Sequence, residues 1–125
     1  MGIWTFYDYI EPGGRNPFYE WKSSLIPNAE AMIDARILQM AGLKKWSEKW
    51  VSKYRGAEGL FELRISYMKV QYRPFGTYAP RYSFVLLGGG IEKDWKIPRD
   101  TIEAIQKRQK LLLDNPHYVR PHRIY

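Results

Sequence analysis

The chain of 125 residues has no cysteine and only two histidines, His117 and His122, both within the last nine positions. Without thiols there is no disulfide framework, no thiolate zinc site and no cysteine nucleophile. With no imidazole before residue 117, a multi-histidine metal centre or a serine-histidine triad in the body of the fold is disfavoured too. No metal or cofactor is therefore expected, and Lys, Arg, Tyr and the carboxylates are left to carry any chemistry. No run approaches the roughly 18 apolar residues that span a bilayer. The first nine residues also lack the basic-then-apolar order of a secretion signal. The expectation is a soluble cytoplasmic protein with no membrane partner.

Aromatic residues and positive charge are abundant. Five Trp, ten Tyr and five Phe contribute to an apolar fraction of 45%, enough for the core of one domain. Twenty Lys and Arg face 13 Asp and Glu, a net charge of +7. Residues 1–42 hold three basic and five acidic residues, a net of −2, whereas residues 43–125 hold 17 and 8, a net of +9. Such a division suits one face meeting a polyanion, and a merely solvated basic surface fits it equally well.

The run from Ile3 to Tyr9 is aromatic and β-branched and predicts a strand. Asn16 as N-cap and Pro17 at the first helical position open a short helix to about Ser24, with Phe18, Trp21 and Leu25 on one side. Pro27 and Asn28 start a second helix, in which Ala29, Ile33, Ile37 and Met40 form a buried stripe while Glu30, Asp34 and Gln39 stay wet. From Leu43 to Gly56 the residues Leu43, Trp46 and Trp50 share one helical face, with lysines toward solvent. Alternation then predicts strands. Phe61, Leu63, Ile65 and Tyr67 oppose Glu62, Arg64 and Ser66, and a hairpin through Met68 and Lys69 leads to Val70–Phe75. Pro74 requires a bulge or an edge there. A turn spans Gly76–Arg81, Tyr82–Leu87 is a central strand, and Gly88, Gly89 and Gly90 form a loop. Asp100 and Glu103 are spaced as a capping box for a last helix, with Ile102, Ile105, Gln109 and Leu112 on its buried side. The expected architecture is a small α+β domain over residues 1–113, with an N-terminal strand, two or three helices, an antiparallel meander sheet and a C-terminal helix, followed by a non-helical tail at 114–125.

Several strings in this order resemble the RelE/ParE superfamily of toxin-antitoxin toxins, nearest the HigB-like, phage-derived branch. Gly56–Ile65 reads G-A-E-G-L-F-E-L-R-I, Tyr72-Arg73 repeats the family's Y-R pair, and Leu86–Lys93 precedes Pro98 and an acidic-then-basic helix. Gly14-Arg15-Asn16-Pro17 with Glu20 and Trp21 matches the family's opening. The resemblance implies a ribosome-dependent endoribonuclease that cuts mRNA and inhibits translation, silenced by a cognate antitoxin protein. A non-nuclease module, either a ParE-like gyrase inhibitor or an inactive homologue, is the alternative it leaves open. Gly88–Gly90 stand where the family often has a histidine and an aromatic, and Pro74 interrupts a usually regular strand.

Cutting RNA through its own 2′-hydroxyl needs a base, positive charge on the phosphorane-like transition state and an acid for the leaving oxygen. The candidates are Arg64, Arg73 and Lys93, assisted by Glu62 or a tyrosine. Alternation places both arginines on the charged sheet face, where guanidinium forks suit phosphate oxygens. Lys44, Lys45, Lys49, Lys53, Arg55, Arg81 and Lys96 are candidates for gripping mRNA and ribosomal RNA, with a solvated surface as the equal alternative. Trp46 and Trp50 read as core, and His117 and His122 as tail residues without a role.

Overall fold

The computed structural model describes residues 2–123; Met1 and the tail residues Ile124 and Tyr125 lie outside the described residues. Strand β1 (Thr5–Tyr9) leads into helix α1 (Pro17–Ser23), whose N-cap Asn16 accepts the Tyr19 N–H through its side-chain oxygen at 3.0 Å. Helix α2 (Pro27–Ala41) buries Ala29, Ile33, Ile37 and Met40, the expected stripe, and ends at Gly42. Asp34 departs from that pattern. It is buried, not wet, because charged partners from two other segments reach it.

The expected helical face over Leu43–Gly56 does not form. Residues 43–50 are irregular, with bends at 44–45 and a turn at 48–50, followed by strand β2 (Val51–Lys53). Trp46 folds back, donates its indole N–H to the Met40 carbonyl at 2.8 Å and stacks on Phe6. Trp50 lies under the Arg36 guanidinium, 4.6 Å from its ring centre. Two separate contacts thus bury the aromatics that a helical stripe would have aligned.

Strands β3 (Phe61–Leu63), β4 (Ile65–Tyr67), β5 (Val70–Ala79) and β6 (Ser83–Ile91) form the expected meander. Helix α3 (Arg99–Asp114) and strand β7 (Val119–Pro121) complete the fold. The seven-stranded sheet runs β2-β3-β5-β6-β1-β7, with β4 paired to β5. The fold is α+β as expected, but the sheet is mixed, because β1 pairs parallel to β6. Residues 114–123 do not dangle, since β7 pairs antiparallel to β1 and His122 donates its N–H to the Phe6 carbonyl at 2.9 Å.

The pairs Ile65↔Tyr72 and Glu62↔Phe75 share one register, which sets Leu63 opposite Pro74 and Arg64 opposite Arg73. Pro74 brings no N–H to that ladder, so β3 and β4 separate at Arg64, whose N–H bonds the Trp50 carbonyl at 2.8 Å. Pro74 thus has no ladder partner on the β3/β4 side, the local edge that its missing N–H requires, and is not itself in a bulge. The register shift lies one residue later, between Phe75 and Gly76. β5 also runs on to Ala79, shortening the expected turn to a tight reversal at Arg81 and Tyr82.

Gly88, Gly89 and Gly90 lie inside β6, not in a loop. A Cβ on Gly89 would strike the Trp21 ring of α1, while one on Gly88 would come within 2.6 Å of Arg108 Nη1 of α3. Helices thus approach both faces of the strand at this point; the Trp21 ring leaves no room for a side chain at Gly89, and Gly88 takes a φ of 154° that favours glycine. One core layer joins α1 and α2 to Phe6, Leu63, Ile65, Tyr72, Phe84 and Leu86, and the other joins α3 to Leu60, Phe75, Val85 and Leu87. On α3 the capping box is replaced by an Arg99–Glu103 pair at 3.0 Å.

Candidate nucleic-acid interface

Along β3, β4 and β5 alternate residues point toward the α3 side of the sheet. Past the reach of the α3 core that face turns polar, and it carries Ser52, Glu62, Arg64, Gln71, Arg73 and Glu92. Arg64 Nη1 donates to Glu62 Oε1 at 2.9 Å and to Ser52 Oγ at 3.4 Å. Arg73 Nη2 donates to Glu92 Oε2 at 2.9 Å and to Gln71 Oε1 at 3.3 Å. The two arginines expected to share a charged face do share it, but in different states. The Arg64 side chain is 40% exposed, whereas that of Arg73 is 3% exposed. Burial pulls the Arg73 guanidinium below its ordinary pKa, against the pull of Glu92, and Arg64 adds a like-charge push in the same direction. Arg73 Nε is buried without a hydrogen-bond partner among the described residues. Of the two, Arg64 presents part of its guanidinium to solvent, while that of Arg73 is taken up by Glu92, Gln71 and the Tyr72 carbonyl.

Lys93 directly follows Glu92. Its N–H and carbonyl exchange hydrogen bonds with Lys96 at 2.8 and 2.9 Å, closing a two-residue turn over Asp94 and Trp95. Both lysines are exposed at the end of the sheet that carries Arg64 and Arg73. The other basic candidates gather elsewhere. Lys44, Lys45, Lys49, Lys53 and Arg55 are exposed on the turns around β2 and on its end. Arg81 sits at the far tip of the β5–β6 hairpin, eight residues beyond Arg73, or roughly 26 Å at ~3.3 Å per residue. It cannot serve the same phosphate as Arg64. Near that tip Trp4, Trp46, Tyr78 and Tyr82 pack together, with Trp4–Trp46 centroids 4.5 Å apart and Trp4–Tyr82 5.2 Å apart. Lys53 shares an open hollow with Trp46, Phe61 and Tyr78. The basic residues singled out from the sequence thus fall into two patches toward opposite ends of the sheet, while Arg99, Lys107, Arg108 and Lys110 lie on α3.

The family model described as phage-derived protein Gp49-like (DUF891) matches residues 24–110. The chain belongs to this family. The Gp49-like family is toxin-like and related to the RelE superfamily. No curated protein matches the chain. The matched span of this Gp49-like domain takes in Arg64, Arg73, Glu92, Lys93 and both basic patches, and stops short of β7. No helix among the described residues is long and apolar enough to cross a membrane.

The second charged constellation of this Gp49-like chain went unread in the sequence. The His122 side chain, 1% exposed, places Nδ1 2.8 Å from Asp8 Oδ1 and Nε2 3.3 Å from Asp34 Oδ1. Lys22 Nζ donates to both Asp34 oxygens at 2.7 and 2.9 Å, and Asn16 Nδ2 donates to Asp8 at 2.8 Å. Two ring nitrogens facing two carboxylates require both to donate, which is the imidazolium form. Two cations and two carboxylates then cancel inside the fold. The network ties the segment after β7 to β1, α1 and α2. Trp95 and Lys69 were also missed. The signal for Trp95 was in the string Lys93-Asp94-Trp95-Lys96, an indole whose immediate neighbours are all charged.

Proposed function

We propose that this protein is the toxin of a toxin-antitoxin pair and an endoribonuclease that cuts mRNA on the ribosome. One observation supports this reading most: the half-exposed Arg64 guanidinium, braced by Glu62 and backed by buried Arg73, on a sheet face within the Gp49-like match. Arg64 stabilises the charge that develops on the scissile phosphate. In this reading Glu62, in contact with Arg64, accepts the 2′-hydroxyl proton, and the Lys93 ammonium protonates the leaving oxygen. The patch of Lys44, Lys45, Lys49 and Lys53 with Arg81 grips ribosomal RNA away from the cut. A cognate antitoxin with an acidic segment would cover the Arg64 end of the sheet.

Primer extension on transcripts from cells making the protein tests this. New 5′ ends should appear with the wild type and vanish with Arg64→Ala, a variant at a half-exposed position that leaves the buried Arg73–Glu92 pair intact. Unchanged transcripts in growth-arrested cells would refute the nuclease reading. The burial of Arg73 and its engagement with Glu92 favour, as second reading, a module that binds a partner or gyrase without cutting. That reading expects arrest, or none, with intact mRNA and a change in DNA supercoiling only in its gyrase form.

A further inference from the structure

Trp95 stands at the tip of the turn after β6 with 90% of its surface exposed. The other four tryptophans are partly buried in packed clusters. An indole in water forgoes the burial that stabilises the rest, so the fold gains nothing from its ring. The backbone makes its choice still less favourable. Asp94 has φ 50° and Trp95 has φ 67°, the left-handed pair of a type I′ turn, where glycine or asparagine is the usual second residue. The Lys93–Lys96 hydrogen bonds hold the indole in that conformation. A large aromatic that is both exposed and backbone-strained points to a contact outside the fold.

The surroundings select the contact. Lys93 and Lys96 flank the indole, and Lys69 with Met68 forms the β4–β5 turn at the same end of the sheet. Of the nearby carboxylates, Glu92 is engaged by Arg73 and Asp94 lies exposed within the turn. An exposed indole on a turn flanked by exposed lysines matches single-stranded nucleic acid, in which bases stack on aromatics and phosphates meet lysines. Glu92 links this turn to Arg73 and so to the Arg64 face.

We propose that Trp95 is a base-stacking contact for single-stranded RNA, holding a nucleotide that flanks the phosphate bound by Arg64. This rests on the RNA-cutting reading and assigns it a positioning residue. Binding is measured by anisotropy of a fluorescein-labelled 2′-O-methyl RNA dodecamer, which lacks the hydroxyl needed for cleavage. Trp95→Ala should weaken binding by about 5- to 150-fold, the range for one stacked base. Trp95→Phe should keep most of the affinity, and Trp95→Leu should behave like the alanine variant. The salt dependence of Trp95→Ala should match wild type, whereas Lys93→Ala with Lys96→Ala should flatten the slope by about 0.7 per lost phosphate contact. Trp95→Gly relieves the left-handed strain, so it should melt at higher temperature yet bind RNA poorly, a combination that a structural residue would not give.

Wild-type affinity in Trp95→Ala overturns the proposal and leaves the nuclease reading standing. So does a wild type that cuts mRNA on ribosomes at the same rate as Trp95→Ala without binding the dodecamer. Unchanged RNA binding with loss of antitoxin co-purification reassigns the turn to a protein contact and also overturns it. A wild type that neither binds the dodecamer nor changes cellular transcripts removes the nuclease reading itself.

Discussion

Replacing His122 by alanine should cost far more than a surface substitution normally does. The imidazolium donates to Asp8 at 2.8 Å and to Asp34 at 3.3 Å, and it packs edge-on against Phe18 with ring centres 5.6 Å apart. Each hydrogen bond involving charge is worth about 1.5–3 kcal/mol. Asp34 keeps Lys22 and Asp8 keeps Asn16, so neither carboxylate is left bare. The loss should be about 3–5 kcal/mol, the range for removing one member of a buried ionic group. For a domain of this size that corresponds to a melting shift of roughly 10–20 °C. Burial pushes the His122 pKa down, but the bonds to Asp34 and Asp8 outweigh it and raise the group above its ordinary 6.5. A raised folded value favours the charged form, so the contribution is complete below about pH 6.5 and fades as pH rises through the folded value. For Asp34, burial pushes upward, yet the bonds from His122 and Lys22 hold it below its ordinary 3.8, so its contribution is present above that pH and is lost in acid. Urea unfolding followed by tryptophan fluorescence, at about pH 5.5 and about pH 9, gives the comparison. The gap between wild type and His122→Ala should be wide at the lower pH and narrow at the higher. A gap under about 1 kcal/mol, or one equal at both pH values, would refute the imidazolium network.

Asn16→Ala removes both the α1 cap and a bond to Asp8, and should cost about 1–2 kcal/mol in chemical denaturation. Combined with His122→Ala it should depart from additivity, because both mutations strip Asp8. Gly89→Ala drives a methyl into the Trp21 ring and should destabilise by about 1–3 kcal/mol, with Trp21→Leu restoring part of the loss in the same melts. Arg64→Lys keeps the charge but loses the fork, so mRNA cleavage in a primer-extension assay should fall yet stay above that of Arg64→Ala. Trp95→Gly should stabilise the fold by about 1 kcal/mol in thermal melts, by freeing a side chain from left-handed φ.

Local chemistry was legible in the chain. The Asn16-Pro17 start of α1, the Ala29–Met40 stripe and the alternation that puts Arg64 and Arg73 on one face each follow from side-chain geometry within a few residues, and the structure keeps all three. What failed were readings that needed a distant partner. Trp46 and Trp50 satisfy a helical spacing, yet Phe6 and Arg36 claim them separately. Three consecutive glycines read as a loop because the cause of their smallness lies in Trp21 on one side and Arg108 on the other. Asp34 read as solvated and His122 as idle because their bonds span 12, 88 and 114 residues of chain. Sequence by itself determined which segments alternate, which turn and where the positive charge accumulates, since these depend on neighbours along the backbone. Only the tertiary structure decided which charges are buried together and which remain to meet a ligand. It drew Arg73 and His122 inside among partners from other elements and left Arg64 and Trp95 facing water.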